Sequence, residues 1–210
     1  MTSTSNGRWK RRKESRHHEL LAAALDLFVE HGYAATRLED VASMAGVSKG
    51  TLYSYFANKE ELFKSTVREH LLPVLHQVEQ TIDQHAAHSS ELLCDLLRNW
   101  WENVGETKLP GVMKLMVAES GNFPEVAHCY HDEVILPRQS LIVGVLARGV
   151  ACGELRDVDT VQTAQVIVAL AHMLMLQMHS LASCKSNAPI VPSVYLNTMV
   201  DMLLHGLRSK

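Results

Sequence analysis

An all-α fold is predicted, with a three-helix N-terminal unit and a larger C-terminal helical domain, and three observations predict it. Apolar residues recur at three- and four-residue spacing along most of the 210-residue chain. Residues that start or stop helices (Ser, Asn, Asp, Pro, Gly) stand at the ends of these stripes. No period-two run is bounded by hairpin turn residues, and no Gly-rich phosphate loop is present. The length suits one large or two modest domains, with a core that needs no covalent staples. With 47% hydrophobic and 20% charged residues, the composition is neither disordered nor fibrous.

Helical periodicity begins near His17. Leu21, Ala24, Leu25 and Phe28 fall at i, i+3, i+4 and i+7, and Gly32 is placed to stop that helix. Thr36-Arg37-Leu38-Glu39 has capping-box spacing, with a hydroxyl at the predicted N-cap. The helix it opens is about two turns long, because Gly46 breaks it. Ser48 then caps a second short helix carrying Thr51, Leu52, Tyr53 and Tyr55. Asn58-Lys59-Glu60-Glu61 is a further capping box, opening a longer helix through Leu62, Phe63, Val67 and Leu71 that Pro73 is predicted to kink.

Beyond a polar break at His85 to Ser90 the segments lengthen. Glu91 to Val104 is a helix ended by Gly105, Pro110 opens the next, and Asn122-Phe123-Pro124-Glu125 opens another that Pro137 interrupts. Gly153 ends the helix after that. Asp157 is predicted to cap Val158 to Leu181, Ser183 to Val191 reads as a loop, and Pro192 starts a final helix ending near Gly206. No internal repeat is evident.

Charge is unevenly placed. The chain carries 20 Lys and Arg against 23 Asp and Glu, yet residues 1–70 hold 11 basic and nine acidic side chains. Within the first 16 residues, Arg8, Lys10, Arg11, Arg12, Lys13 and Arg16 face only Glu14. Such a block stays solvated and irregular on its own and is drawn to polyanions, although many basic tails serve only to solubilise.

Several function classes fall away. Cys94, Cys129, Cys152 and Cys184 lie 35, 23 and 32 positions apart, which argues against a zinc ribbon or redox dithiol and suits reduced thiols in a cytoplasmic protein. The longest apolar run, Val166 to Leu176, is 11 residues and too short to span a bilayer, so no membrane partner is expected. The basic N-terminus is not followed by an apolar segment with a cleavage site, so no secretory signal is read. No nucleophile elbow, phosphate loop or metal-ligand helix points to an enzyme. His128-Cys129-x-His131-Asp132 is the densest His cluster, and His172 and His179 stand two turns apart. A zinc or nickel site needs three or four converging ligands, which one helix does not provide, so no metal and no cofactor are expected.

The two short helices around Gly46 form a helix-turn-helix. Leu38, Val41, Ala42, Val47 and Leu52 supply the apolar anchors that hold them at one angle, and small Ala42 permits close approach. Phe56 reads as core. That leaves Ser48, Lys49, Thr51, Tyr53 and Tyr55 to project from the second helix with chemistry suited to a duplex. A lysine reaches a guanine edge or a phosphate, a threonine meets a thymine methyl or donates a hydrogen bond, and tyrosine hydroxyls hold phosphates. Backbone N–H groups at the start of that helix favour a phosphate as well.

The segment Leu20 to Phe63 closely resembles the DNA-binding domain of the TetR family of bacterial regulators. The resemblance rests on Leu27-Phe28, Gly32-Tyr33, Thr36, Val41-Ala42, Ala45 to Tyr53, Tyr55-Phe56, Asn58-Lys59-Glu60 and Leu62-Phe63. It implies base contacts from Lys49 and Thr51, with Ser48, Tyr53, Tyr55 and Lys59 on the phosphate backbone and Arg37 beside it. It also implies domain limits: a basic, disordered arm over 1–16, a DNA-binding domain over 17–63, and a ligand-binding and dimerisation domain over 64–210. The arm is longer than the family minimum and is expected to add minor-groove contacts.

The C-terminal stretch Val117 to Glu125 resembles the regulatory domain of the AcrR/AefR-like branch, associated with multidrug or small-molecule sensing. Methionines adapt to irregular shapes and suit a pocket for apolar ligands as well as an ordinary core. Trp100 and Trp101 diverge by about 100° on one helix, so one lines a cavity while the other packs between helices. Trp100, Met113, Met116, Phe123, His131 and Met173 are the expected pocket residues. The family's last two helices form a four-helix dimer bundle, and Val161, Ala164, Val168, Ala171 and Met175, with Met199 on the final helix, are the expected interface. The resemblance thus implies a cytoplasmic, ligand-responsive repressor that binds a palindromic double-stranded operator as a homodimer and leaves it when a small, largely apolar effector binds. The alternative is a helical small-molecule carrier or scaffold without sequence-specific DNA binding.

Overall fold

Residues 4–84, 88–179 and 190–207 are described by the computed structural model, and every regular element among them is helical. Cys184 and the loop expected from Ser183 fall on residues outside these. Helix α1 spans Thr4–Ala35, taking in from Thr4 the basic segment expected to be irregular. Arg, Lys and Glu are strong helix formers, and extending an existing helix avoids the cost of a new nucleus. Arg16 Nη1 donates to Glu19 Oε2 at 2.9 Å and Ser15 Oγ to Glu19 Oε1 at 3.1 Å, binding that extension along one face. Leu20, Leu21, Ala24, Leu27 and Phe28 bury the opposite face.

Gly32, at φ +83°, breaks α1 in a conformation that other residues rarely adopt. Thr36 does not cap the following helix. Its hydroxyl donates backwards to Leu27 O (3.1 Å) and Gly32 O (2.7 Å), closing α1, while α2 (Leu38–Met44) starts after Arg37 without a side-chain cap. Gly46 ends α2 in a Schellman turn: Val47 N–H donates to Ala42 O at 2.9 Å and Gly46 N–H to Ser43 O at 3.1 Å. Ser48 Oγ accepts from Thr51 N at 3.1 Å and so caps α3, Lys49–Tyr53. Asn58 Oδ1 accepts from Glu61 N (2.8 Å) while Glu61 Oε2 accepts from Ala57 N (2.6 Å), a reciprocal box that opens α4, Lys59–Gln84.

The described residues divide into two compact units. One comprises Met1–His70 with Gly111–Tyr130, the other Leu71–Pro110 with His131–Lys210. The first therefore holds α1 to α3, the start of α4, and the segment of α6 (Pro110–Glu119) and α7 (Pro124–Tyr130), which the sequence groups with the C-terminal domain. Gly111 lies against the Val29 side chain so closely that a Cβ there would collide. Phe123 packs edge-on to Tyr33, centroids 4.6 Å apart, and Tyr33 in turn stacks on Phe28.

The second unit is built from α5 (Ser89–Trp100), a π-turn over Trp101–Gly105, a second π-turn over His131–Ile135, α8 (Leu136–Ala151), α9 (Thr160–His179) and α10 (Pro192–Leu207). Helix α8 packs on α5 and α9, and α10 on both α5 and α9. Pro137 interrupts no helix: the wide turn before it leads directly into α8, where proline's missing donor falls in the first turn. Asp159, not Asp157, caps α9, accepting from Gln162 N at 2.9 Å. The N-terminus of α5 is closed from a distance by Glu154, whose carboxylate accepts from Ser89 N (2.7 Å), Ser90 N (2.9 Å) and Ser90 Oγ. Both α9 and the continuous Pro124–Ala151 stretch reach a mean hydropathy of 1.4 and are long enough to cross a bilayer. In this fold Ala164, Ile167, Ala171, Leu174 and Met175 of α9 form core instead.

Candidate nucleic-acid interface

Helix α3 is anchored by one residue and presents the rest. Leu52 is fully buried, whereas Lys49, Gly50, Tyr53 and Ser54 are exposed and Thr51 is half-buried, so the helix is a short rod with a polar outer face. Tyr53 is 44% exposed, a large aromatic surface left open to solvent. Lys49 forms an ion pair with Glu39 of α2, and its ammonium lies 5.7 Å from the Tyr53 ring centroid. The Lys49 hydrogen bond holds the Glu39 carboxyl below the usual carboxylate range, and the same bond raises Lys49. The hydroxyls of Ser48 and Thr51 share a hydrogen bond of 2.9 Å, which fixes Thr51 at the helix start.

Beyond α3 the expected residues part company. Tyr55 follows the helix, and its phenol donates to Lys13 O of α1 at 3.3 Å. Phe56 is buried, as its aromatic core character predicts. Arg37 is exposed just ahead of α2. Lys59 differs from its expected phosphate contact: its ammonium donates to Tyr33 O, Ala34 O and Thr36 O at 2.8, 3.1 and 3.2 Å, closing the C-terminus of α1. All three of its N–H donors are thereby engaged within the chain. Ser48, Lys49, Thr51 and Tyr53 thus share α3 and its N-cap, Tyr55 is turned to α1, the charge of Arg37 acts on Glu39, the partner of Lys49, and Lys59 is turned inward. Glu39 is the partner sequence reasoning missed. Its place in a capping-box pattern suggested a reach back to the start of α2, whereas it reaches forward to Lys49.

The expected pocket residues are shared between the two units. Met113, Met116 and Phe123 belong to the first unit, and Trp100, His131 and Met173 to the second. Met113 and Met116 are buried, but Met173 is exposed on α9, and exposed His131 pairs with Asp132 at 2.9 Å. Trp100 is buried, with the Arg138 guanidinium 5.6 Å from its ring centroid and Arg138 Nη2 donating to His172 Nε2 at 2.7 Å. Of the expected interface, Ala164, Val168, Ala171, Met175 and Met199 are buried within the chain's own core, and only Val161 is exposed. A stripe of small apolar residues marks a packed face equally well when the partner helix belongs to the same chain. Cys94 and Cys129 are buried thiols and Cys152 is exposed.

A short, outward-facing helix locked by a glycine turn onto a second short helix defines a helix-turn-helix DNA-binding protein. Residues 20–66 match the family model of bacterial regulatory proteins of the tetR family, and residues 91–204 match that of the AefR-like transcriptional repressor C-terminal domain. The second match alone covers more than half of the sequence, and the chain belongs to the TetR family of bacterial transcriptional regulators, not to an enzyme family. Among its relatives is the fatty acid metabolism regulator protein of Bacillus subtilis, 24% identical over 75% of this chain and 80% of that protein. The HTH-type transcriptional regulator YdeS of the same organism is 30% identical over 71% and 72%. The crystal structure of the regulator FadR from B. subtilis, in complex with stearoyl-CoA, shares the fold with a TM-score of 0.75 at 20% identity, over 90% of this chain and 98% of that one.

Proposed function

We propose that this regulator is a cytoplasmic homodimeric repressor that holds a palindromic operator and releases it when a small, largely apolar molecule enters the C-terminal domain. The observation that carries this reading is the open outer face of α3, where Lys49, Thr51 and Tyr53 stand on the buried Leu52. Lys49 and Thr51 are its base-reading residues, with Ser48, Tyr53, Tyr55 and Arg37 on the phosphates. A helix of this size reads only a few base pairs, so specificity in a genome needs a second copy about one DNA turn away.

A surface for that second copy is suggested by the exposed apolar residues of α9 and α10. Val166, Leu170 and Met173 line the outer side of α9, Val161 is exposed in its first turn, and Val194 and Met202 are exposed on α10. A set of this kind left in water is costly, and burial in a symmetric contact removes the cost. The effector site is read as the interior of the second unit near Trp100, where the Arg138–His172 pair offers a polar end among apolar helices. Coupling is a population shift: an effector that prefers one spacing of the two DNA-binding units lowers operator affinity by its differential affinity. Helix α4, which contributes residues to both units, is the transmitting element in this reading.

The test enriches duplexes from a random pool with the full chain, then titrates the selected duplex with long-chain fatty acids and their acyl-CoA esters, the classes suggested by the name of one relative and by the stearoyl-CoA bound in one solved structure. Two inverted half-sites, dimers in sedimentation and release on titration are expected. A selected pool without symmetry, or a monomeric protein, overturns the reading, and retention by every occupying ligand rejects the coupling.

A further inference from the structure

We propose that the N-terminal extension of α1 is a phosphate clamp, in which Arg12, Lys13 and Arg16 form, with Thr51, Ser54 and Tyr55, a cationic groove that seats one phosphodiester of duplex DNA beside α3. The inference rests on the DNA-binding reading above and extends it to a segment upstream of residue 20, where the family match begins.

The groove has a volume of about 330 Å³ and is lined by these six residues, three cations and three hydroxyl side chains, with no carboxylate in the lining. Two acids stand on this part of α1: Glu14, next to Lys13 in the sequence, and Glu19, which takes one Arg16 N–H at 2.9 Å. The α1 wall is held in place at two positions about one turn apart. Tyr55 donates to Lys13 O, with the Lys13 ammonium 6.0 Å from its ring centroid, and the His17 ring stacks on buried Phe56 at 5.2 Å. Arg12 and Arg16 stand four residues apart on one face of this helix, so their guanidinium forks reach the same place. A guanidinium fork matches phosphate oxygens in a bidentate fashion, so the cations hold the phosphate, while Tyr55 and Ser54, whose hydroxyls donate to Lys13 O and Thr51 O, form the wall of the groove. Minor-groove reading, expected of an irregular arm, does not suit this form: a helix about 10 Å across exceeds the roughly 6 Å minor groove of B-DNA.

The test compares the full chain with R12Q/R16Q on a duplex enriched from a random pool and on a scrambled duplex, across a salt series. We expect the variant to lose roughly tenfold to hundredfold affinity on both duplexes alike at 0.1 M salt, with a log–log salt slope shallower by about one per clamped phosphate. Neutral methylphosphonate placed at each phosphate in turn should reveal one position per half-site at which the unmodified chain weakens and the variant is indifferent, the other phosphate contacts being common to both. Tyr55→Phe, which keeps the ring and releases Lys13 O, should lose affinity in the same non-selective manner but to a smaller degree. An unchanged slope and affinity in R12Q/R16Q, with the melting temperature preserved, overturns the clamp while leaving the regulator reading intact. Loss confined to A·T-rich flanks overturns it in favour of groove reading. Failure of the unmodified chain to select any duplex overturns the regulator reading itself, and the clamp falls with it.

Discussion

Lys49 of α3 is ion-paired in the DNA-free chain with Glu39 of α2, across the glycine turn that joins the two helices. The lysine best placed to read a base therefore already has an anionic partner, which DNA must replace. Replacing Glu39 with Gln removes that competitor and a charge that repels phosphate, so random-sequence affinity is expected to rise about three- to tenfold. Selectivity between enriched and random duplex should narrow, because the gain is independent of sequence. Lys49→Ala should lower affinity for the enriched duplex roughly tenfold to hundredfold and relax one base position. Fluorescence anisotropy on both duplexes reads each outcome; equal loss on random DNA for Lys49→Ala would move that lysine to a phosphate.

Lys59 and Thr36 both close the end of α1 and should behave as stability residues. The Lys59 ammonium satisfies three terminal carbonyls and lies 4.7 Å from the Tyr33 ring centroid. Burial lowers its pKa, partly offset by Glu119. Lys59→Met is expected to cost about 1–3 kcal/mol, because charged hydrogen bonds at a helix C-terminus are lost together. Thr36→Val keeps the buried shape but loses the hydroxyl bonds to Leu27 O and Gly32 O, costing about 1–2 kcal/mol. Urea unfolding measures both. The DNA affinity of folded Lys59→Met should stay within about threefold, since its donors face the protein; a selective loss of DNA affinity at unchanged stability would return Lys59 to the phosphate backbone.

Helix boundaries were legible wherever one residue decides them. Gly46, Ser48, Asn58, Gly153 and Pro192 act through their own φ or their own side-chain oxygen, and each stands where its chemistry predicts. Thr36 misleads because a hydroxyl three residues before a glutamate serves equally to open one helix or close the preceding one. The deciding partner, Leu27 O, lies nine residues upstream. Lys59 fails for the same reason, its carbonyl partners being 23 to 26 residues away. The stripe Ala164, Val168, Ala171, Met175 was legible as one helix face, but periodicity does not say whether the covering helix comes from the same chain. Here it does, and the opposite face carries the open apolar residues.

That inversion yields a direct test of the dimer surface. Val166 is 56% exposed and Leu170 is 37% exposed, one turn apart on the outer side of α9. Val166→Glu with Leu170→Glu should leave the melting temperature nearly unchanged at low protein concentration, since neither side chain is in the core. Sedimentation should show monomers, and affinity for a two-half-site duplex should fall towards that for a single half-site. Ala171→Glu, on the buried face, should unfold the domain instead, by placing an unpaired charge in the core. A dimer that survives the double replacement would place the interface elsewhere.

His172 makes the second unit sensitive to acid. Arg138 Nη2 donates to its Nε2 at 2.7 Å, so the imidazole is neutral and carries its proton on Nδ1. Burial first, and the positive charge of Arg138 second, push its pKa down from 6.5 to about 3. The folded chain thus refuses a proton that the unfolded chain accepts below about pH 6.5. Stability from this source is complete above that pH and declines as the pH falls towards 3, by about 2 kcal/mol between pH 7 and pH 5. His172→Gln keeps an acceptor for Arg138 and does not titrate, so its urea midpoint should vary less over the same range, with its smaller loss of stability already present at pH 7.5. If the native chain and His172→Gln lose stability in parallel from pH 7.5 to 5, the acid sensitivity belongs to other groups and the imidazole is protonated in the folded state without penalty.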